Sequence, residues 1–263
     1  MKDLNSLNNR AESPKTVASI EARMGSSRLP GKVLMDIEGK PALTRVYERL
    51  KQCKTLDGII LATSTNATDD VLEQWALENE CPLHRGDEED VLGRVVDAHV
   101  SMDSDIIVEM HGDCVLLDPK IIDLGVETFI SNDVQIVSTS WKQSFPIGVD
   151  VQVFGFNELA YISENIDDYL VREHVSLYFY EHPEKYKIIN LIAPHVWAGN
   201  QYRFILDYPE DLEFVCQVYK NLIPIYGDVF GVELILDLIT KMPELTKIND
   251  NCKEHENIVR EKK

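Results

Sequence analysis

One stretch near the start of the chain carries most of its information: Thr16-Val-Ala-Ser-Ile-Glu-Ala-Arg-Met-Gly-Ser-Ser-Arg-Leu-Pro-Gly-Lys32. Its first six residues are mostly apolar or β-branched, which predicts a buried strand over Thr16–Glu21. The next residues combine glycines and serines with the basic side chains of Arg23, Arg28 and Lys32. Glycines let backbone N–H groups approach an anion, and the cations neutralise it. The stretch therefore predicts a strand followed by a phosphate-binding loop.

This loop does not fit the P-loop of nucleoside triphosphatases. Gly25 and Gly31 are one residue too far apart, and Val33 follows Lys32 where a P-loop has a magnesium-binding hydroxyl. From the residues alone, a basic surface loop that binds nothing is the alternative explanation.

Further along, apolar runs alternate with helical patterns, as in proteins that build parallel sheets with crossover helices. The later strands are expected at 58–63 and 105–110. The helices between and after them are expected at 69–80, 91–101 and 119–130. We therefore predict an α/β fold of Rossmann-like type, with a mostly parallel sheet flanked by helices. Ligands bind beyond the carboxyl ends of such strands, where the first loop lies.

The pattern changes near residue 136. Short strands are predicted at 136–140, 149–154 and 202–206, and a helix at 169–180. We interpret residues 136–180 as a small flap, inserted for an acceptor or for dimerisation, within a single domain over residues 16–250. Residues 1–15 are predicted to be a flexible extension, and residues 251–263 a frayed tail.

The amino-acid composition limits the classes of ligand that the protein is expected to bind and the compartment in which it is expected to act. A net charge of −19 argues against general binding to nucleic acid or to an anionic membrane. Five scattered cysteines indicate reduced thiols, and the polar N-terminus lacks the apolar core of an export signal. We therefore predict a cytoplasmic protein whose anionic ligand is met by the local basic cluster of the first loop.

Two carboxylates follow predicted strands. Asp113 comes just after the strand at 105–110, and Asp207 just after the one at 202–206. At the carboxyl edge of a parallel sheet, both would lie beside the phosphate loop and could hold Mg²⁺ against a phosphate. For Asp207, capping of the helix that begins near Pro209 is an equally weighted alternative.

Several motifs together resemble the cytidylyltransferases that activate acidic sugars. They are Ala22-Arg23, Ser27-Arg-Leu-Pro-Gly-Lys32 and Gly39-Lys-Pro41, followed by Gly112-Asp113 and Asp207-Tyr-Pro-Glu-Asp-Leu-Glu213. The chain is similar to the CMP-Kdo synthetase type (Kdo is 3-deoxy-D-manno-octulosonate) and closer to the spore-coat polysaccharide type. The resemblance implies transfer of CMP from CTP to an acidic sugar, with release of pyrophosphate, for surface polysaccharide or glycoconjugate synthesis. It also implies Mg²⁺ as the cofactor.

The resemblance also implies roles for individual residues. The catalytic positions are Arg23, Lys32, Asp113 and Asp207, and the last two are the metal ligands. The nucleotide-binding positions are Arg23, Gly25, Ser26, Ser27, Arg28, Lys32, Thr63, Ser64 and Arg85. The acceptor-binding positions are Asp150, Gln152, Arg172 and His174.

Structural roles compete with some of these assignments. Thr63 and Ser64 also suit the capping of the next helix, and Arg85 suits a surface salt bridge. Arg172 and His174 would equally serve at a subunit contact. Gln152 stands where the family usually has Glu, which leaves the acceptor open.

The expected partners are CTP, a small anionic sugar and a second copy of the chain in a homodimer. Two alternatives remain from the sequence. One is a nucleotidyltransferase with another nucleotide, or with a sugar-phosphate or phosphonate acceptor. The other is a non-catalytic nucleotide-binding subunit.

Overall fold

The structure is a computed structural model that describes residues 13–252. The expectations for the terminal segments 1–12 and 253–263 lie outside the described residues. The strands within the described range are β1 (Thr16–Glu21), β2 (Asp36–Ile37), β3 (Lys40–Pro41), β4 (Gly58–Ser64), β5 (Leu83–Gly86), β6 (Ile106–His111), β7 (Ile136–Ser138), β8 (Gln152–Gly155) and β9 (Ile188–Asn190). The α-helices in that range are α1 (Ala42–Leu50), α2 (Asp70–Glu78), α3 (Val91–Ser101), α4 (Pro119–Ile130), α5 (Phe156–Asn165), α6 (Tyr169–Glu173), α7 (Leu177–Glu181), α8 (Pro209–Tyr226) and α9 (Val232–Lys241).

Seven of these strands form one sheet in the order β5-β4-β1-β6-β8-β7-β9. The pairs β4–β5, β1–β4, β1–β6 and β7–β9 are parallel, whereas β8 runs antiparallel to both of its neighbours. The predicted α/β fold with a mostly parallel sheet is confirmed. The strand order reverses at β1. The next sheet strand in the chain, β4, lies on one side of β1, and the later strand β6 lies on its other side. This opens a crevice at the carboxyl ends of β1 and β6, the usual ligand site of such sheets.

Burial explains why β1 is central. Val17, Ala18 and Ile20 are fully buried, so both faces of the strand are covered. One face belongs to the core that includes α1, α4, α8 and α9. The opposite face of β1 is covered by α3, and the helices from α5 to α7 cover the same side of the sheet at β6, β7 and β8. A strand apolar on both faces is typical of a parallel sheet between two helical layers.

The second half departs from the sequence prediction at several elements. The strand predicted at 149–154 begins only at Gln152, and α5 and β9 were not predicted. The predicted strand at 202–206 is wrong, because this segment makes only an isolated bridge between Arg203 and Ile147. Gly148 has a φ of +89° and turns the chain away immediately after that bridge, which prevents a longer ladder. The predicted helix at 169–180 is also wrong as one element. It is divided into α6 and α7, because His174 is extended and Val175 is buried in the core.

The segment interpreted as a flap joins the main sheet. It supplies β7 and β8, and β9 follows it at the sheet edge. Its helices α5 to α7 contribute to the core formed with α3. Across residues 13–252, the helices are all too short or too polar to span a lipid bilayer.

Gly148 offers a test of this crossing point. A Cβ added there would lie 2.7 Å from the backbone nitrogen of Ile205, on a backbone that already has positive φ. We expect Gly148→Ala to lower the free energy of unfolding by about 2–4 kcal/mol, measured by urea denaturation.

Gly39→Ala is the matched control, because Gly39 has a φ of +87° but its added Cβ would meet no described atom within 4 Å. Only the backbone strain of about 1 kcal/mol should appear there. Equal losses in the two variants would show that the crossing with Ile205 is not tightly packed.

Candidate active site

The first loop follows β1 at the crevice, and hydrogen bonds hold its beginning in place. The backbone N–H of Met24 donates to Oδ1 of Asp69 at 2.7 Å, and the N–H of Gly31 donates to the Met24 carbonyl at 3.0 Å. Asp69 itself is almost fully buried. A buried carboxylate therefore fixes where the loop begins to turn.

Thr63 and Ser64 take part in this anchoring. Both residues are fully buried, and their hydroxyls donate to Oδ2 of Asp69 at 3.3 and 2.5 Å. Their side chains therefore support the loop instead of facing the crevice. The family resemblance implies that this loop binds the nucleotide through backbone groups, and the geometry gives the two side chains a supporting role through Asp69.

Arg85 also supports the chain around the end of β4. Its guanidinium donates to the backbone carbonyls of Ser64 and Asn66, each at 2.9 Å. It also pairs with Asp70 and Glu73 on α2. The salt bridges expected as an alternative are therefore present and tie β5 to α2, while the bonds to the two carbonyls tie it to the end of β4 and the loop that follows. Arg23 is more exposed and pairs with Glu88 at 3.2 Å.

The centre of the crevice is a lysine held between two carboxylates. Nζ of Lys32 lies 2.5 Å from Oδ2 of Asp113 and 2.6 Å from Oδ1 of Asp207. All three side chains are largely buried. Burial would lower the pKa of Lys32, but the two carboxylates outweigh burial and raise it, so the amine stays protonated.

Asp207 also faces two arginines. Nη2 of Arg28 lies 3.0 Å from Oδ1 of Asp207, and Nη2 of Arg203 lies 3.0 Å from its Oδ2. Burial would raise the pKa of Asp207, but Lys32 and Arg28 reverse the effect and lower it to about 2. The carboxylate is therefore ionised throughout the neutral range.

Asp211, rather than Asp207, caps helix α8. Oδ2 of Asp211 accepts from the backbone N–H groups of Asp207 and Tyr208, both at 3.0 Å. Asp211 also pairs with Arg203 at 3.0 Å. The capping role considered for Asp207 is therefore filled by Asp211. Both carboxylate oxygens of Asp207 instead contact the basic groups of Lys32, Arg28 and Arg203.

Asp113 and Asp207 are brought together without the strand predicted before Asp207. The backbone N–H of Leu206 donates to the carbonyl of Asp113 at 3.1 Å. This one bond joins the loop after β6 to the segment before α8. It replaces the strand alignment on which the sequence prediction relied.

A cavity of about 410 Å³ opens beside this cluster. Arg28, Asp113 and Asp207 line one end of it, and Asp150 and Gln152 line another part.

The other two predicted acceptor residues do not line this cavity. The guanidinium of Arg172 reaches both carboxylate oxygens of Asp90, at 3.1 and 3.2 Å, and the carbonyl of Ser163. His174 directly follows the end of α6 and is not part of the cavity lining. The predicted acceptor set is therefore divided: Asp150 and Gln152 line the cavity, whereas Arg172 and His174 do not.

Sequence reasoning missed a charged group at the ends of β1 and β6. Glu21 and His111 are register partners in the sheet, and Glu109 lies two residues before His111, on the same face of β6. Burial and the nearby Glu109 raise the pKa of Glu21 to about 8. Partial burial of His111 opposes its charge, but Glu109 and Glu21 raise its pKa to about 10. The sequence contained a signal for this group: charged residues stand at the alternate positions 109 and 111 of an otherwise apolar strand.

Comparisons with known proteins agree on one family. A sequence profile of the family described as "Cytidylyltransferase" matches residues 17–234. The spore coat polysaccharide biosynthesis protein SpsF of Bacillus subtilis is 33% identical over 208 residues, which cover 77% of this chain and 85% of that protein. A 3-deoxy-manno-octulosonate cytidylyltransferase of Trichlorobacter lovleyi is 37% identical over 116 residues, which cover 44% of this chain and 45% of that enzyme. A solved cytidylyltransferase structure from Leptospira borgpetersenii has a TM-score of 0.84 at 28% identity, covering 93% of this chain and 100% of that one.

The low pKa of Asp207 predicts a pH dependence of stability. A carboxylate whose pKa is lower in the folded state stabilises the fold above its ordinary pKa, and the effect is lost as pH falls. The free energy of unfolding of the wild type should exceed that of Asp207→Asn by about 2 kcal/mol near neutral pH. The difference should shrink as pH falls from about 4 toward 2, measured by urea denaturation at each pH.

Asp133→Asn is the control for this measurement. Asp133 also pairs with a lysine, Lys187, but it is 87% exposed, so its removal should change stability little. A wild-type advantage over Asp207→Asn that stayed constant down to pH 2 would contradict the ion-pair geometry at Asp207.

Proposed function

Because the chain belongs to the cytidylyltransferase family and is therefore a nucleotidyltransferase, we propose that it transfers the cytidylyl group of CTP to a hydroxyl of a small sugar acceptor, with release of pyrophosphate. The supporting geometry is the cluster of Arg28, Lys32, Asp113 and Asp207 at the point where the strand order reverses. The relatives named for polysaccharide and Kdo metabolism favour a sugar as acceptor, in surface polysaccharide or glycoconjugate synthesis.

The basic residues of the first loop suit the triphosphate. An ammonium group has three N–H donors, and two of those of Lys32 are directed at Asp113 and Asp207, which leaves one for a phosphate oxygen. Nε of Arg28 is buried without a hydrogen-bond partner among the described residues, so it also suits a phosphate oxygen. Arg23, at the rim, is free to leave its exposed pair with Glu88 at low cost.

The reaction balances with these groups alone. The acceptor oxygen forms a bond to the α-phosphorus, and the bond from that phosphorus to the oxygen bridging to the β-phosphate breaks. The electron pair leaves on pyrophosphate, and the acceptor proton passes to water. Such displacements depend on positioning and on cations that absorb the charge of the leaving group, which is the role we assign to Lys32 and Arg28.

The donor set fits a magnesium ion. One carboxylate oxygen from Asp113 and one from Asp207 already converge on a single positive centre, the ammonium of Lys32. Carboxylate oxygens are also the ligands that Mg²⁺ prefers. When bound there, the ion would lower the pKa of the acceptor hydroxyl and screen the α-phosphate. We propose that Lys32 keeps the two carboxylates aligned while its third N–H binds a phosphate oxygen.

We also propose that the protein acts in the cytoplasm as a homodimer. A reaction that consumes CTP belongs where nucleotides are made. Large apolar side chains stay exposed on the described surface, among them Leu77 and Ile225, and they offer area for a second copy. Light scattering of the purified protein tests the dimer.

The nucleotide preference is the first test of this function. With Mg²⁺ and a panel of sugar acceptors, pyrophosphate release should be fastest with CTP among the four common ribonucleoside triphosphates. Calorimetry should give the tightest binding for CTP as well. Binding of another triphosphate at least about tenfold tighter than CTP would contradict the cytidylyl assignment.

The carboxylate pair is the second test. Asp113→Asn and Asp207→Asn should each lower turnover by about two orders of magnitude or more. The double variant should be little worse than either single one, because each change destroys the same site. Pyrophosphate release and melting temperature should be measured together, so that loss of activity is separated from loss of fold.

Asp237→Asn serves as the control, since Asp237 is an exposed carboxylate that pairs with Lys241 within α9. Its turnover and melting temperature should match those of the wild type. An active Asp207→Asn enzyme, or fully additive losses in the double variant, would contradict the hypothesis that the two carboxylates form one site.

A further inference from the structure

Three metal-ligating side chains lie together at the carboxyl ends of β1 and β6, apart from the Lys32 cluster. One ligand atom from each of Glu21, Glu109 and His111 lies within 4.8 Å of the other two. Glu21 and His111 are register partners on adjacent strands, and Glu109 precedes His111 by two residues, so the three side chains share one face of the sheet. We call this group the β1–β6 triad. It is built on paired strands at the centre of the sheet.

The β1–β6 triad contains buried oxygen atoms that lack a donor. Glu109 is 5% exposed, and its Oε1 lies 3.4 Å from Nε2 of His111, but its Oε2 has no hydrogen-bond partner among the described residues. Oε1 of Glu21 is also buried without a partner, and so is the hydroxyl of Ser19, the register partner of Glu109. Buried acceptors without donors cost free energy and are usually matched by an ion, a ligand or water. These atoms therefore indicate an occupant that oxygen lone pairs can bind.

The guanidinium on the same side of the sheet does not fill this place. Arg94 on α3 is buried, and its Nη1 donates to the backbone carbonyls of Asp87 and Glu88. Its Nε has no partner among the described residues. Arg94 therefore donates to neither Glu21 nor Glu109, and the imidazole of His111 is the described group that contacts a carboxylate of the triad.

An ion can reach the β1–β6 triad from the crevice. The side chain of His111 is 47% exposed, and His111 and Glu109 both line the cavity beside the Lys32 cluster. Glu21 lies behind them at the end of β1. Asp113 follows His111 by two residues, so the triad is next to the proposed magnesium pair but shares no residue with it.

The donor set of the triad differs from that of the magnesium pair. Asp113 and Asp207 offer carboxylate oxygens alone, which Mg²⁺ prefers. The triad adds an imidazole nitrogen, which suits Zn²⁺ and related transition-metal ions. Ligand atoms about 2.0–2.2 Å from such an ion lie roughly 3–4 Å from one another. Small side-chain rotations would therefore bring the three ligand atoms to binding distance.

We propose that Glu21, Glu109 and His111 bind one divalent transition-metal ion, with Zn²⁺ as the best fit, at a site separate from that of Mg²⁺. The ion supplies the positive charge that the unpartnered oxygens of Glu21 and Glu109 lack. Three protein ligands leave at least one coordination position for water or for an oxygen of a molecule in the cavity. Metal binding here requires neither nucleotide nor turnover, so it is independent of the proposed cytidylyl transfer.

Metal binding is measured on nucleotide-free protein that has been treated with a chelator. Zn²⁺ is titrated by calorimetry in the presence of excess Mg²⁺, and Co²⁺ is titrated by visible absorption, which reports nitrogen and oxygen ligands. We expect one ion per chain, with Zn²⁺ bound at least about a hundredfold more tightly than Mg²⁺. Strong near-ultraviolet absorption from Co²⁺–thiolate bonds would instead place the ion on a cysteine and contradict the proposal.

Variants then assign the binding to the triad. Glu109→Gln and His111→Asn should each weaken Zn²⁺ binding by about a hundredfold or more, because each removes one of three ligands. Asp207→Asn should change it less than about threefold, which separates the triad from the magnesium pair. Glu184→Gln is the matched control, because Glu184 also pairs with a histidine, His182, at 3.1 Å, but is 63% exposed. It should leave Zn²⁺ binding unchanged.

Loss of binding must be distinguished from loss of fold. The melting temperature of each variant is therefore measured in the chelator, and Glu21→Gln provides a second ligand variant if Glu109→Gln does not fold. Zn²⁺ bound no more tightly than Mg²⁺, or binding unchanged in folded Glu21→Gln or His111→Asn protein, would overturn the proposal. So would loss of Zn²⁺ binding in Asp207→Asn. Pyrophosphate release with CTP and Mg²⁺ is a separate measurement, so these outcomes leave the test of cytidylyl transfer unaffected.

Discussion

The site depends on one ammonium group between two carboxylates. Lys32 lies 81 positions before Asp113 and 175 positions before Asp207, yet its Nζ contacts both. Without the cation, two largely buried carboxylates would repel each other across the crevice. With it, the first loop, the loop after β6 and the segment before α8 are held in one arrangement. The same oxygens that bind Lys32 are those suited to a divalent cation, so the structural contact and the proposed chemistry share their atoms.

The charged groups around this contact form one connected network. Arg203 joins Asp207 to Asp211, and Asp211 also caps α8, so the helix start and the cluster are one network. Asn249 closes it by donating to Asp211 and to the carbonyl of Arg203. Breaking one member of such a network leaves buried charge unpaired, which costs more than an exposed ion pair is worth. The arrangement favours rigid positioning over adjustment, as displacement at phosphorus requires.

Much of the first half of the fold follows from local pattern. The bounds of β1, α3 and α4 were predicted without error, because strands buried on both faces and amphipathic helices with clear caps have distinct periodicities. The family was also identified from the loop motifs, and the comparisons confirm it. The second half was harder. A short apolar run such as 202–206 has the composition of a strand, but a strand needs a partner, and the turn at Gly148 leaves it only one bridge.

The sequence by itself determined the α/β class, the position of the basic first loop and the candidate carboxylates, because these depend on side-chain periodicity and on residue types within short segments. It did not determine which charges meet. Thr63 and Ser64 turned inward to Asp69, and Arg172 turned to Asp90. Glu21, Glu109 and His111 gathered at the ends of two adjacent strands. Such pairings join residues far apart in the chain, and their energies arise only when folding removes the groups from water and sets their distances. Which charged groups line the crevice was therefore decided by the tertiary structure.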